Sequence, residues 1–278
     1  MILAVDAGGT FFRGEIYRDN ELIKKMSIKS DETGLALWIE SILQSYTDIR
    51  IICVAYAGQV KDGIIFTAPN IQIDKHEIKN YFENKYNVKL FIENDVNCAV
   101  LAEADYFNVS DICAIYVGTG IGLGVVNDSK LITGFNGIAA ELGHIPYKKS
   151  PFICGCGKDN CIELFASGSA LDRWKKYKGI ENSLTLQKLK DSSKTFEIYE
   201  VFEEALLYAI ATAITLFNPK VLVLGGGIIE SNLQLHDIIV KNIKKYAMPL
   251  SLKHIQIKNT QLKDAPLKGA LMLKDNYE

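Results

Sequence analysis

The sequence predicts an α/β protein of two lobes with a cleft between them, and three observations carry that prediction. First, the order of elements, strands followed by alternating helices and strands, runs once through residues 1–109 and starts again at 110. Second, each half opens on a short apolar strand that leads directly into a glycine turn, Asp6-Ala-Gly-Gly-Thr10 and Gly118-Thr-Gly-Ile-Gly122. Third, His144, Cys154, Cys156 and Cys161 fall within eighteen positions of the second half, which is the spacing of a metal-binding loop. The expected organisation is an N-terminal α/β lobe over 1–109 and a C-terminal α/β lobe over 110–264. A closing helix over 265–278 is expected to pack back on the first lobe.

Taken in order, Ile2–Val5, Phe12–Tyr17 and Glu21–Ile28 read as strands, the last two joined by a turn at Asp19-Asn20. Residues 33–46 carry Leu35, Trp38, Ile42 and Leu43 at helical spacing, with Leu37 off the face. The run Ile49–Ala57, apolar but for Arg50, fits a strand buried on both sides. A helix over 74–86, a strand over 88–92 and a helix over 95–107 complete the first half. In the second half the spacing predicts strands at 112–117, 123–127 and 130–133 and helices at 169–177 and 197–217, the latter stopped by Asn218-Pro219. A buried strand at 221–224 ends in Gly225-Gly-Gly227, and a helix over 231–246, a strand at 255–258 and a helix over 266–274 follow. Residues 183–194 read as a polar surface connection.

Composition narrows the function. A chain of 278 residues with 48% hydrophobic and 23% charged residues has the make-up of an ordinary globular protein, and a net charge of −2 gives no reason to expect nucleic acid or an anionic membrane as partner. The opening Met-Ile-Leu-Ala-Val meets Asp6 after five residues, so no signal peptide is expected. The longest apolar stretch, 206–217, contains two threonines and falls short of the roughly 20 residues a membrane span needs. Cys53, Cys98 and Cys113 each sit in an apolar run and read as buried, inert thiols, so a reducing cytoplasm without disulfides is expected.

The chemistry sits in the turns and in the cysteine loop. Gly8 and Gly9 let the backbone turn sharply enough to bring N–H groups against phosphate oxygens, Thr10 adds a hydroxyl, and Asp6 is placed to hold a magnesium ion or its water. Gly118, Thr119 and Gly120 offer the same arrangement in the second half, and Gly225, Gly226 and Gly227 leave bare backbone for an adenine or ribose. Each turn also reads simply as tight chain reversal; three at strand ends are more specific than one. Asp95 follows a buried strand at a helix start, where it serves either as an N-cap or as a reactive acid. Asn70 reads as a turn residue or a hydroxyl-binding amide. Cys154-x-Cys156-x4-Cys161, with glycines at 155 and 157 and His144 ten residues upstream, can close a tetrahedral Cys3His set around zinc. Glu141 and Glu163 bracket that set, which suggests a site for a polyhydroxylated ligand.

These segments, Asp6–Thr10, Glu93-Asn-Asp-Val-Asn97, Gly118–Gly122, Glu141-Leu-Gly-His144, residues 154–163 and Gly225–Gly227, together resemble the ROK sugar kinases, in the same order and across nearly the whole chain. That family comprises bacterial glucokinases, fructokinases and N-acylhexosamine kinases. The resemblance implies a two-lobed actin-like ATPase fold, ribonuclease H-like and of hexokinase type, with a zinc-binding loop. It implies that Asp95 is the base that takes the proton of a sugar hydroxyl, and that Asn70, Asn94, Glu141, His144 and Glu163 bind the sugar. The two glycine turns would hold the phosphates of ATP with magnesium and 225–227 would lie near the nucleoside. His144 and the three cysteines would bind a structural zinc, and a homodimer is implied as well. Glucose phosphorylated at its 6-hydroxyl is the leading expectation, with an N-acylhexosamine, fructose or a weakly catalytic sugar-sensing role as alternatives. Three departures bear on which sugar is used: Asn160 stands where glycine is common, Ala57-Gly-Gln59 where Pro-Gly-Pro is common, and Phe11 where lysine is frequent. Some relatives carry a DNA-binding helix-turn-helix ahead of the first strand; this chain opens on that strand, and a repressor role is not expected.

Overall fold

A computed structural model of the chain describes residues 1–276. It divides into two compact units, one formed by 1–108, 131–139 and 262 onward, the other by 109–130 and 140–261. Residues 131–139, inside the stretch that the sequence assigns to the second lobe, thus group with the first unit. No described helix is long and apolar enough to cross a membrane.

The first unit contains β1 (Ile2–Ala7), β2 (Phe11–Arg18), β3 (Glu21–Lys29), α1 (Leu35–Ser45), β4 (Ile51–Tyr56), β5 (Gln59–Lys61), β6 (Ile64–Thr67), α2 (Ile78–Lys85), β7 (Lys89–Asn94) and α3 (Asp95–Phe107). Its sheet has the order β3-β2-β1-β4-β7, antiparallel through β1 and parallel from β1 to β7. The second unit contains β8 (Ile112–Val117), β9 (Ile121–Asn127), β10 (Lys130–Leu131), α4 (Gly168–Tyr177), α5 (Leu186–Asp191), α6 (Phe196–Phe217), β11 (Val221–Gly225), α7 (Gly227–Glu230), α8 (Gln234–Asn242) and β12 (Gln256–Asn259). Its sheet repeats the topology as β10-β9-β8-β11-β12. The duplication reaches into the turns. Asp19-Asn20 and Asp128-Ser129 close equivalent hairpins, and all four residues have positive φ, the backbone that a two-residue turn between twisted strands requires.

Alternation along the strands sets up the first core. Leu3, Val5 and Ala7 of β1, with Ile52, Val54 and Tyr56 of β4, bury one face against Leu35, Trp38, Ile39, Ile42 and Leu43 of α1 and against Phe82 of α2. On the other face α9 (Ala265–Asn276) packs on β1, β4 and α3. Cys53, Cys98 and Cys113 are fully buried, and burial pushes the Cys53 and Cys113 thiols up to about 12 and Cys98 well above its ordinary value.

Several elements depart from the sequence reading. The hairpin β5–β6 lies in a stretch to which the sequence assigns no element; its Asp62-Gly63 turn, with φ of 52° and 79°, is a hairpin signal, but the flanking strands have only three and four residues. The helix expected over 74–86 starts only at Ile78, because 74–77 bond elsewhere: Ile65 N–H donates to the His76 carbonyl at 2.8 Å. Within the presumed surface connection, α5 buries Leu186 and Leu189. The helix expected over 231–246 is shortened to α8, which starts at Gln234, and a 3₁₀ turn at Ile243–Lys245; the short α7 ends ahead of it at Glu230, and Asn232 Nδ2 donates back to the Ile228 carbonyl at 2.8 Å. Asn160 has no positive φ, so the left-handed backbone that would favour asparagine there is not used.

Gly269 of α9 tests the packing of the closing helix. A Cβ added there would lie 1.7 Å from the Cys98 carbonyl oxygen of α3. An exposed mid-helix Gly→Ala normally gains up to about 1 kcal/mol from propensity. Here overpacking should dominate at about 1–3 kcal/mol. Gly269→Ala is therefore expected to lower Tm by several degrees in a thermal melt; an unchanged or raised Tm would show that α9 rests on α3 less tightly than this contact requires.

Candidate active site

In each sheet the parallel strands end on one edge, where α/β proteins bind ligands. In the first unit Ala7, Tyr56 and Asn94 form one register row at the ends of β1, β4 and β7. Beyond Ala7 the chain reverses through Gly8 and Gly9, with Gly8 N–H donating to the Phe11 carbonyl at 3.1 Å. Ser30, buried, holds this turn from behind: its Oγ donates to the Gly9 carbonyl at 2.7 Å and its N–H to the Thr10 carbonyl at 3.0 Å. Gly9 also leaves space for Asn70, whose Cβ would be 2.7 Å from a Cβ at that position. Thr10 and Asn70 are exposed.

Asp6 ends up opposite Arg13 in the β1–β2 register, with 3.6 Å between Arg13 Nη1 and Asp6 Oδ2. Burial raises the Asp6 carboxyl to about 6 against the pull of Arg13, and Asp264 adds repulsion. Arg13 was not singled out in the sequence, although hairpin alternation around the glycine turn places it across from Asp6.

Asn94 and Asp95 divide two roles between them. The Asn94 side-chain oxygen accepts N–H bonds from Val96 at 2.9 Å and Asn97 at 3.2 Å, which makes Asn94 the N-cap of α3. Its Nδ2 donates to the Gly58 carbonyl at 3.2 Å. Asp95, the first residue of α3, is therefore not the cap; its Oδ1 accepts the adjacent Val96 N–H at 2.9 Å. It stays partly exposed. Burial by the surrounding protein, then the charge of Asp6, raises its carboxyl to about 7 in spite of the bonds from Val96 and Asn94. An acid held near neutrality at a strand end has the character of a general base.

In the second unit Gly118 N–H donates to the Gly120 carbonyl at 2.9 Å, closing the turn between β8 and β9. The start of α4 braces it: Gly168 N–H donates to the Gly118 carbonyl at 2.8 Å and Ser169 N–H to that of Thr119 at 3.2 Å. Ser167 caps α4 through its Oγ, accepting from Ala170 N–H at 3.1 Å. The Ser-Gly-Ser run at 167–169 is the signal that could have marked this brace. Gly225 pairs with Tyr116 at the end of β11, and Gly226 has φ of 89° with no room for a side chain against the Val117 backbone. Gly227 opens α7 with free space where a Cβ would stand.

The cysteine loop meets the same turn through Glu163. Its Oε2 accepts the Ile121 N–H at 3.1 Å, at the end of the glycine turn, and its Oε1 lies 3.8 Å from Cys154 Sγ. The room comes from Gly120, where a Cβ would stand 2.4 Å from Oε2. His144 turns Nδ1 toward Cys154 Sγ, 3.4 Å away, and Nε2 toward Glu141 Oε2, 3.8 Å away. Cys156 and Cys161 Sγ are 3.3 Å apart, and the donor atoms of His144, Cys154, Cys156 and Cys161 all lie within 4.8 Å of one another. Three thiols and one imidazole at that spacing form a donor set that can hold a tetrahedral metal ion. Gly157, with φ of 87°, allows the tight return that its N–H makes to the Cys154 carbonyl at 2.9 Å. Behind the loop Phe152, Phe165 and Trp174 pack ring against ring, and Trp174 Nε1 donates to the Leu164 carbonyl at 2.9 Å.

The structure thus gathers Asp6, Gly8, Gly9, Asn70, Asn94 and Asp95 around the strand ends of the first unit. In the second it joins Glu163 to Gly118–Gly120 and to the Cys3His group.

Along nearly its whole length the chain is similar to known proteins. A glucokinase of Thermotoga maritima is 29% identical over 305 aligned positions, covering 97% of this chain and 95% of that protein. A xylose repressor of Caldicellulosiruptor bescii is 30% identical over 60% of this chain, which spans 47% of the repressor. Among solved structures, a ROK family glucokinase from Streptomyces griseus in complex with glucose and AMPPNP superposes with a TM-score of 0.77 at 25% identity, covering 97% of each chain. The fold is that of the two-lobed, actin-like sugar kinases. Residues 2–276 match the ROK family, and the chain belongs to it.

Proposed function

We propose that this protein phosphorylates a hexose from ATP, with glucose the leading substrate and the 6-hydroxyl the acceptor. The observation that carries the reading is Asp95: an acid released from helix capping by Asn94, raised to about 7, on the strand-end row that also bears the Gly8-Gly9 turn. The kinship with a glucokinase along 97% of the chain supports the substrate class.

In this reading Asp95 orients the 6-hydroxyl and accepts its proton as the oxygen bonds to the γ-phosphorus of ATP. The bond from that phosphorus to the bridging oxygen breaks, and ADP leaves with the electron pair. Glu141, His144 and Glu163 hold the remaining hydroxyls, with Asn94 and Asn70. The turns at 6–10 and 118–122 cradle the phosphates and 225–227 lies beside the nucleoside. Asp6 would contact a magnesium ion carried with ATP, which would supply positive charge to the phosphates. His144, Cys154, Cys156 and Cys161 would hold a zinc ion in a structural role, since four protein ligands would leave no position for a reacting water. Held in that set, the His144 imidazole would face the ligand together with Glu141.

A second reading has a specific motive. The kinship to a repressor fits a sugar-sensing protein of weak turnover. A coupled assay of ADP release over a sugar panel separates the two: sugar-dependent turnover supports the kinase, and binding without turnover supports the sensor.

Three outcomes test the kinase reading. Asp95→Asn keeps the size of the side chain and removes the base, so kcat should fall roughly 100-fold or more with sugar binding retained. Because the Asp95 carboxyl is raised to about 7, it is protonated and idle below that pH and ionised above it. The wild-type rate should therefore drop on the acid side of neutrality, with an apparent pKa shared with Asp6. A flat profile from pH 5 to 8, or near-normal turnover of the variant, removes Asp95 from the mechanism.

One zinc per chain is expected to copurify. Stripping it, or making Cys156→Ser, should weaken sugar binding more than nucleotide binding. Zinc-free protein with full activity, measured by elemental analysis beside kinetics, would end the structural role.

The acceptor position is tested with 6-deoxyglucose, which keeps the ring hydroxyls but offers nothing at carbon 6. It should compete with glucose and never be phosphorylated. Transfer of phosphate to it at the parent rate would place the reacting hydroxyl elsewhere on the ring.

A further inference from the structure

Helix α1 has no cap of its own. The residue before it, Gly34, has the extended backbone of an N-cap (φ −74°, ψ 153°) but no side chain to accept the first N–H groups. Those groups are nonetheless satisfied from elsewhere in the chain. Ala36 N–H donates to Asp74 Oδ1 at 3.2 Å and Leu37 N–H to Oδ2 at 3.0 Å, the second and third helical positions that a cap side chain normally serves. The carboxylate fits only because residue 34 is glycine, since a Cβ there would lie 2.1 Å from Asp74 Oδ2. Gly34 and Asp74 are a matched pair.

What this pair holds is the loop that carries Asn70. Upstream the loop leaves the β5–β6 hairpin at Thr67, and downstream His76 returns to that hairpin, with Nδ1 2.8 Å from the Ile65 carbonyl oxygen. Ile71, buried in the core, ties the apolar side of the loop to the sheet. Asn70 stands against Gly9, and the Gly9 carbonyl accepts from Ser30, which lies just before α1. The contacts close into a ring: the glycine turn, Ser30, the start of α1, Asp74, Asn70, and the glycine turn again. Both hydrogen bonds of the Asp74 carboxylate go to the start of α1, away from the turn.

We infer that Asp74 is a positioning residue: by capping α1 in trans it sets where Asn70 stands over the Gly8-Gly9 turn. Its kinetic consequence rests on the reading of Asn70 as a sugar ligand, while its structural consequence does not. The ring predicts that disturbing the pair from either side has the same effect. Asp74→Ala removes the acceptor, and Gly34→Ala drives the carboxylate away from the helix.

The experiment measures hydrogen exchange of the full chain together with initial rates in which glucose and ATP are varied separately. Both single variants should lose protection over 66–73. Both should raise the glucose KM about tenfold, the size of one lost hydrogen bond to substrate, and leave the ATP KM unchanged. The double variant should be no worse than the more affected single one, and Asp74→Asn, which keeps one acceptor oxygen, should fall between wild type and Asp74→Ala. Protection over 66–73 that survives in both single variants, even with a lowered Tm and a frayed α1, overturns the inference and leaves Asp74 a plain helix cap. Loss of protection with an unchanged glucose KM upholds the positioning and instead removes Asn70 from the sugar site.

Discussion

The two hydrogen bonds from Val96 and Asn97 to the side chain of Asn94 decide what Asp95 can do. A helix that starts directly from a buried strand must satisfy its first N–H groups, and a carboxylate at its first turn would ordinarily do that work and be held ionised by it. Here the amide before it takes the Asn97 bond and shares the Val96 N–H with Asp95 Oδ1. Burial and the neighbouring charge of Asp6 then prevail, and the carboxyl settles near neutrality. Glu93 underpins the same corner, accepting from Asn94 N–H at 2.8 Å and Asn97 Nδ2 at 3.0 Å. The Glu-Asn-Asp-Val-Asn run is thus a single hydrogen-bonded unit at the start of α3.

The second unit solves a different problem with similar means. A loop of cysteines and glycines has little apolar surface of its own and needs another source of rigidity. The Cys3His donor set offers one, and the Phe152, Phe165 and Trp174 rings behind it offer a second. Glu163 passes that rigidity on, since one carboxylate oxygen faces Cys154 and the other accepts from the end of the glycine turn. Gly120 and Gly143 are needed here for space and not for backbone freedom: a Cβ on either would crowd Glu163 Oε2, at 2.4 and 3.3 Å.

Much of this was legible in the sequence because strong local signals coincide with the site. The buried strands at Ile2, Ile51 and Ile112 are apolar but for Asp6 near the end of the first, and each ends close to a glycine. The cysteine spacing names its own chemistry. What escaped were interactions between residues far apart in the chain. Nothing local in Asp74-Lys-His76 distinguishes a helix start from a cap for a helix 38 residues earlier, and the helix pattern was accordingly extended through it. Asp95 was read as a cap or a base because either residue of an Asn-Asp pair can cap, and only the backbone angles of the folded chain choose. The break between α7 and α8 was hidden for a similar reason: Ser231-Asn232 reads as a helix start, whereas Asn232 bonds backward to Ile228.

The repeated topology explains why glycine turns and acids are distributed as they are. Both sheets bring three parallel strands to one edge, and both follow the central strand with a glycine reversal into an antiparallel partner. The first half continues from its last strand into α3, whose first residue is the acid. The corresponding strand of the second half, β12, leads only to a short connection before α9. The second half instead spends its insertion between β10 and α4 on the metal loop, and the first spends its own between β4 and α2 on the hairpin and the Asn70 loop. One architecture therefore supplies the same glycine turn twice, while the two insertions, each anchored back to its own turn through Asn70 or Glu163, make the halves chemically unlike.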